Sequence, residues 1–262
     1  MKKIEIKKLF TKSFKIYKEN WFNFLLIGIL LALISLVSHF SGLGLNQTTG
    51  ELVFGTSAIV AIIAWFVSTY LSVGVIRYTL DLIDGKKVKL KRIFYGIDSI
   101  EHMVYVVLVA LITTVLVLSG LVFVIIPVIL NLFISTKIIW VFALISSIAG
   151  FLIVITSALG LLFTKYFIAE NRGEVLVTIK KSWEMTKGHK LKLLGLIIIL
   201  AAFNLLGLLI LVIGLVVTIP VSALVIMGAY RSLDEQNDSQ KTIELENSPG
   251  LVDNLENKKQ AE

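Results

Sequence analysis

Few residues in this chain have types and spacing that suit catalysis. The histidines are His39, His102 and His189, and there is no cysteine. No two histidines have the spacing that places two metal ligands on one face of a helix, and no H-E-x-x-H motif occurs. Without cysteine the chain has no thiol nucleophile, disulfide or thiolate ligand. We therefore expect no enzymatic activity, no metal site and no cofactor.

Two asparagines, Asn131 and Asn204, are the polar residues expected deepest in hydrocarbon. An amide in an apolar environment usually bonds to a neighbouring helix, so we expect both side chains to join helices. The alternative is that they face a polar cavity. No ionisable residue lies at the predicted centre of an apolar segment, which counts against an energised transporter. A small-solute or lipid permease near Asn131 and Asn204 is therefore the second hypothesis for function.

Six long uncharged segments must position these residues. The chain is 56% hydrophobic and only 16% charged, whereas a soluble domain is about a quarter charged. A helix needs roughly 20 apolar residues to cross a bilayer core, and segments apolar on every face are typical of helices rather than barrel strands. The sequence thus predicts an all-α polytopic protein with six transmembrane helices: Trp21–Phe40, Ser57–Ile76, Met103–Ile126, Ile138–Phe163, Leu193–Ile213 and Leu215–Tyr230.

The last predicted span is short and contains Pro220. Proline removes a backbone donor and kinks or starts a helix. A re-entrant hairpin is therefore the alternative to full fifth and sixth spans.

Positive charge indicates how the chain crosses the membrane. Of its 25 Lys and Arg residues, all but Lys137 fall on one side of the six predicted spans. Because positively charged loops stay inside, both termini are expected in the cytoplasm and the protein in the cell membrane. The net charge of +7 fits attraction to anionic headgroups better than to nucleic acid.

Three segments that precede the odd-numbered spans, 1–20, 86–102 and 174–190, have an apolar and a basic face at helical spacing. This pattern predicts amphipathic helices that lie in the membrane interface with the apolar side toward lipid. The apolar faces are Ile6, Leu9, Phe10, Phe14 and Tyr17 in the first, Leu90, Ile93, Phe94 and Ile97 in the second, and Val175, Leu176, Ile179 and Trp183 in the third. The predicted contact residues for lipid or a partner are Lys12, Phe14, Lys91, Phe94, Lys180, Lys181, Ser182, Trp183 and Lys187.

The first and third segments share a short motif. Lys12-Ser13-Phe14 matches Lys181-Ser182-Trp183. We interpret the chain as a threefold repeat of one interfacial helix plus one transmembrane hairpin, with likeness by composition as the alternative. Residues 1–20 form the first interfacial helix and 21–233 the membrane domain. The polar segment 234–262 has too little apolar surface to order itself and is predicted to be a disordered cytoplasmic tail.

The stretch from Gly173 to Gly188, with Lys181-Ser182-Trp183 at its centre, resembles a loop in the membrane domain of glycerophosphoryl diester phosphodiesterases. Related stand-alone prokaryotic integral membrane proteins of unknown function share it. Pro220 and Tyr230 are similar to a proline and a terminal tyrosine of that group. The resemblance implies six spans with both ends inside. It implies no hydrolysis, because the longest cytoplasmic stretch has about 29 residues and a domain needs 50 or more.

Together these patterns favour a non-enzymatic integral membrane protein. We expect its basic cytoplasmic rim to engage anionic lipid headgroups or a partner membrane protein. Nucleic acid is not an expected partner.

Overall fold

A computed structural model describes residues 5–40, 44–45, 52–53, 56–95, 99–133, 137–210 and 214–246. Within them the chain is helical, apart from a short antiparallel pairing of strands β1 (Gly44–Leu45) and β2 (Leu52–Val53). A 3-10 helix spans Leu90–Tyr95. The α-helices are α1 (Ile6–Phe40), α2 (Thr56–Ile83), α3 (Ile100–Phe133), α4 (Lys137–Gly160), α5 (Thr164–Ala169), α6 (Val175–Thr186), α7 (Lys190–Leu209) and α8 (Leu215–Glu246).

Within the described ranges, five helical stretches are long and apolar enough to cross a membrane: Ile6–Leu36, Ile62–Ile83, Leu144–Ala169, Lys190–Leu209 and Leu215–Ser239. A shorter apolar stretch, Glu101–Leu116, belongs to α3. Large apolar side chains cover the outside of the bundle; Val115, Leu144 and Phe151 are each 63% exposed. Apolar surface on this scale is unfavourable in water and suits contact with lipid chains. The chain is a helical membrane protein.

Helix α1 joins the first predicted interfacial helix to the first predicted span. The two parts meet at a kink, where Asn20 leaves helical dihedral angles (φ −126°, ψ 18°) and its side-chain amide donates to the Ile16 carbonyl at 3.0 Å. A side chain that competes for helix carbonyls is a common cause of bending. The kink coincides with the boundary predicted at residue 20.

The apolar face of the first segment was predicted to point to lipid, but most of it packs against protein. The Phe10 ring packs edge-on against Phe203 of α7, with centroids 5.8 Å apart, and the Tyr17 hydroxyl donates to the Val216 carbonyl of α8 at 3.4 Å. Phe14 alone of the predicted face stays 42% exposed. The prediction was wrong here because a helix packed on two others buries its apolar residues against protein first.

The second predicted amphipathic helix, 86–102, is not one helix. Residues 86–89 have no regular structure, and Leu90–Tyr95 forms the 3-10 helix. Helix α3 already begins at Ile100, while Ile97 lies outside the described residues. The 3-10 helix docks tightly on α2, since a Cβ on Gly74 would lie 1.8 Å from the Ile93 carbonyl oxygen. This backbone contact holds the segment in place.

Helix α8 extends past the predicted end of the membrane domain. The tail was predicted to be disordered from residue 234, but α8 continues to Glu246. Leu233 and Asp234 are buried, and no Gly or Pro occurs between Asp234 and Pro249. A helix that is already anchored lengthens without a new nucleation cost, which explains the error. The rest of the predicted tail, 247–262, lies outside the described residues.

Helices α7 and α8 meet at two glycines. A Cβ on Gly207 would lie 2.4 Å from the Thr218 hydroxyl, and one on Gly214 would lie 2.3 Å from the Gly207 carbonyl oxygen. Small residues let membrane helices approach this closely. Pro220 lies inside α8, which continues through it.

The core gathers where α2, α5 and α8 converge. The Tyr230 ring lies 5.6 Å from Phe163, 5.3 Å from Tyr166 and 5.2 Å from Phe167, centroid to centroid. Tyr78 of α2 is fully buried in the same cluster. Aromatic pairs at these separations are each favourable by roughly 0.5–1.5 kcal/mol beyond their buried area. This cluster fixes the helix ends that carry the charged residues described next.

Candidate functional site

Four exposed side chains form a stripe along α6, which we call the α6 surface: Leu176, Lys180, Trp183 and Lys187. Their spacing of four, three and four residues places them on one side of a helix and its C-terminal turn. Neither lysine ammonium forms an ion pair within the described part of the chain. The α6 surface is therefore an apolar and basic surface without a protein partner in the described structure.

The opposite side of α6 holds the helix to the protein. Thr178, Ser182 and Met185 are buried there. The Ser182 hydroxyl donates to the Gly160 carbonyl at 2.7 Å and accepts from the Phe163 N–H at 3.2 Å. These bonds satisfy two backbone groups at the end of α4 that would otherwise be buried without a partner.

Ser182 and Lys181, both predicted contact residues, thus have other roles. Ser182 is fully buried, so a contact with lipid or a partner is wrong for it. The Lys181 ammonium donates to the Arg172 carbonyl at 3.0 Å, which closes the loop before α6. An amphipathic pattern alone did not reveal that Thr178 and Ser182 face the protein together with Val175 and Met185, whereas Leu176 and Trp183 stay exposed.

The Trp183 ring is held from two directions. A Cβ on Gly160 would lie 2.2 Å from the ring, so glycine is required there. The ammonium of Lys190, at the start of α7, lies 3.9 Å from the Trp183 ring centroid and forms a cation–π contact. Trp183 is still 40% exposed, so it is an immobilised aromatic at the edge of the α6 surface.

The other predicted contact residues lie on different elements. Lys12 and Phe14 are exposed on α1, where the Lys18 ammonium lies 5.4 Å from the Phe14 ring centroid. Lys91 and Phe94 are exposed on the 3-10 helix. The Phe94 carbonyl accepts from the Tyr70 hydroxyl of α2. Contact of these four residues with lipid or a partner stays a prediction, and the sequence did not predict the 3-10 helix that carries the second pair.

Asn204 joins two helices. Its amide nitrogen donates to the Ser222 hydroxyl at 3.1 Å across the α7–α8 contact, while its amide oxygen is buried without a partner among the described residues. Three well-formed cavities of the described structure are lined by other residues. This geometry supports the helix-joining interpretation over a transport path at Asn204. The side chain of Asn131 lies outside the described residues.

A charged junction of eight residues connects four elements: Asp81 and Asp84 at the end of α2, Lys86 and Arg92 after it, Glu170 and Arg172 after α5, and Arg231 and Asp234 in α8. At its centre Arg231 donates to both Asp84 oxygens, at 2.9 and 2.8 Å, and to Glu170 at 2.6 Å. A planar guanidinium suits such paired carboxylate contacts.

The rest of the charged junction is equally well paired. Arg172 donates to Asp234 at 2.6 Å, and the Tyr230 hydroxyl donates to Glu170 at 2.6 Å. Asp81 accepts from Lys86 at 2.8 Å, which raises the pKa of the exposed Lys86 ammonium through that hydrogen bond. The sequence pattern did not indicate Arg231 as the residue that links Asp84 and Glu170. The long sequence distance between α2, α5 and α8 hid that connection.

A cavity of about 730 Å³ lies beside this junction. We call it the Lys165 cavity. Three helix faces line it at helical spacing: Thr69, Ser72, Val73 and Ile76 of α2; Val106, Val109, Ala110 and Thr113 of α3; and Leu161, Thr164, Lys165 and Ile168 at and before α5. The sequence placed Lys165 in a loop beyond the fourth span. The apolar stretch instead continues through α5 to Ala169, so Lys165 lies within it.

Two polar groups of the Lys165 cavity have unusual surroundings. Among the described residues, Lys165 has no hydrogen-bond or ion-pair partner; its ammonium lies 5.2 Å from the Tyr166 ring centroid. The Thr164 hydroxyl is buried and likewise unpartnered there. His102 bonds through Nε2 to the carbonyl of Ile168, one of the lining residues, at 2.7 Å. The described residues include no group of three or more His, Cys, Asp or Glu side chains that suits a metal ion.

Residues 1–237 match the model of the family described as "Protein of unknown function (DUF975)", and the chain belongs to that family. No curated protein and no solved structure matches the chain.

Proposed function

We propose that this protein is a non-enzymatic, multi-pass protein of the cell membrane that engages anionic lipid headgroups at its cytoplasmic face through the α6 surface. In this proposal α3 is the third of six spans, and both termini are cytoplasmic. The membrane-domain resemblance and the threefold repeat describe the ancestry of the protein. The placement of lysines supports the orientation, since all but one of the Lys and Arg residues fall on one side of the six spans predicted from the sequence.

One observation carries the proposal. The α6 surface presents two unpaired lysines and an immobilised tryptophan on a helix whose other side is fastened to the protein by Ser182. Indole rings favour the headgroup region of a membrane. Each lysine near an anionic leaflet contributes about 1 kcal/mol of attraction. A fixed helix also loses little freedom when lipid binds, so most of this attraction is retained.

Fluorescence quenching tests the proposal with the full chain. Trp21, Trp65 and Trp140 are replaced by phenylalanine, which leaves Trp183 as the only tryptophan. The protein is reconstituted in bilayers that contain brominated phosphatidylglycerol or brominated phosphatidylcholine. We expect stronger quenching by the anionic lipid, and a weaker preference at high salt because salt screens the lysines.

The variant Lys180→Gln with Lys187→Gln should reduce this preference by about thirtyfold, because each lysine contributes roughly 1 kcal/mol. A matched control removes two lysines from the C-terminal segment, Lys258→Gln with Lys259→Gln, and changes the net charge equally. The control should quench like the parent. Equal quenching by both lipids in the parent protein would refute the proposal.

A further inference from the structure

We propose that the Lys165 cavity binds one anionic amphiphile, a hydrocarbon chain that ends in a carboxylate or phosphate headgroup. This inference goes beyond lipid attraction at the α6 surface. It concerns a defined cavity, formed by other residues and with the exposed Lys165 in its lining, that selects a single molecule.

The cation of this site is Lys165. It lies in an apolar membrane-spanning stretch, and no carboxylate among the described residues pairs with it. An ionised side chain at such a position is costly unless it has a partner. The ion pairs of the charged junction begin at Glu170, only five positions further along the chain, yet they do not include Lys165. A negatively charged ligand would supply the missing partner.

Hydroxyl groups beside Lys165 are suited to the same headgroup. The Thr164 side chain is 1% exposed, lines the cavity, and has no hydrogen-bond partner in the described structure. A buried hydroxyl left without a partner is unfavourable. Thr69 of α2 and Thr113 of α3 line the cavity as well. A carboxylate or phosphate oxygen accepts from hydroxyl and ammonium donors together.

The remainder of the cavity suits a hydrocarbon chain. Its other lining residues include Val73, Ile76, Val109 and Leu118. From Val109 to Leu118, α3 advances nine residues, or about 14 Å at the rise of an α-helix. The volume of about 730 Å³ falls within the usual range for a small-molecule site. Free phosphate would leave these apolar walls uncovered, so the ligand is an amphiphile rather than an inorganic ion.

Native mass spectrometry of the detergent-purified full chain tests the site. The probes are oleate, oleyl alcohol, dioleoyl phosphatidylglycerol, dioleoyl phosphatidylcholine and inorganic phosphate. We expect one molecule of oleate or of the phosphatidylglycerol to be retained for each chain. Oleyl alcohol, phosphatidylcholine and phosphate alone should bind about tenfold more weakly, because they lack the anion or the chain. Retention of oleate or of phosphatidylglycerol supports the site and identifies a fatty acid or a phospholipid as its ligand.

Three variants separate this site from the α6 surface. Lys165→Met should weaken retention of the anionic probe about tenfold and leave oleyl alcohol unchanged. Thr164→Val keeps the side-chain shape and should weaken retention of the anionic probe about threefold. This variant tests the site if Lys165→Met does not fold. Lys180→Gln with Lys187→Gln should have no effect here. Undiminished retention in Lys165→Met, or in Thr164→Val if the first variant is unfolded, would overturn the inference. Equal retention of oleyl alcohol or of phosphate alone by the parent chain would overturn it as well.

Discussion

The charged junction and the Lys165 cavity adjoin each other at α5 but accommodate charge in opposite ways. In the junction, Arg231 contacts Asp84 and Glu170, and Arg172 contacts Asp234. In the cavity, Lys165 has no acidic partner in the described structure and faces an apolar space. Ion pairs at the junction hold α2, α5 and α8 together. The unpaired lysine does not stabilise the fold in this way, which is why we assign it to a ligand.

The largest expected effect comes from breaking the charged junction. Arg231→Met leaves Asp84 and Glu170 without their shared guanidinium, in a position where the arginine side chain is only 18% exposed. Removing one partner of a fully buried pair costs about 3–5 kcal/mol, and because these side chains are only partly buried we expect a cost near the lower end of that range. We expect a corresponding loss of unfolding free energy, measured by tryptophan fluorescence during denaturant titration of the detergent-solubilised protein.

The matched control is Lys8→Met, which removes one partner of an exposed pair. Lys8 and Glu5 lie 2.6 Å apart, with side chains 78% and 55% exposed. Exposed pairs contribute about 0–1 kcal/mol, so this variant should unfold like the parent. If Arg231→Met proved no less stable than Lys8→Met, the junction would not hold the helices together.

A change in unfolding free energy of the opposite sign is expected at the Lys165 cavity. Lys165→Met, measured without added lipid, should stabilise the protein by about 1 kcal/mol, because an unpaired charge leaves an apolar stretch and a side chain of similar length replaces it. Lys192→Met, at an exposed position on α7, is the control and should be neutral. Destabilisation comparable to that of Arg231→Met would show that Lys165 has a structural partner, and the contrast between the two regions would disappear.

The sequence predicted what depends on composition and local spacing. Long apolar segments indicated a helical membrane protein, and the end of the first segment at residue 20 coincides with the kink at Asn20. It did not predict which face of a helix contacts protein, as Ser182 and Phe10 show, because that depends on neighbours remote in the chain. The partners of Arg231 and the surroundings of Lys165 were missed for the same reason: α2, α5 and α8 meet only in three dimensions.

The smallest expected effect on stability belongs to a neutral polar pair, which is neither an ion pair nor an unpaired charge. The Asn204 amide donates to the Ser222 hydroxyl at 3.1 Å, but its oxygen has no partner among the described residues. Asn204→Ala removes the bond and the orphaned oxygen together, so gain and loss partly offset each other. A double-mutant cycle with Ser222→Ala isolates the bond itself, and we expect a coupling of about 0.6 kcal/mol, the usual size for such pairs in membranes.

A coupling near zero would mean that close packing at Gly207 and Gly214 alone holds α7 against α8. A coupling as large as that of a buried ion pair would mean that polarity matters as much here as in the charged junction, and that net charge is not what separates the junction from the rest of the bundle.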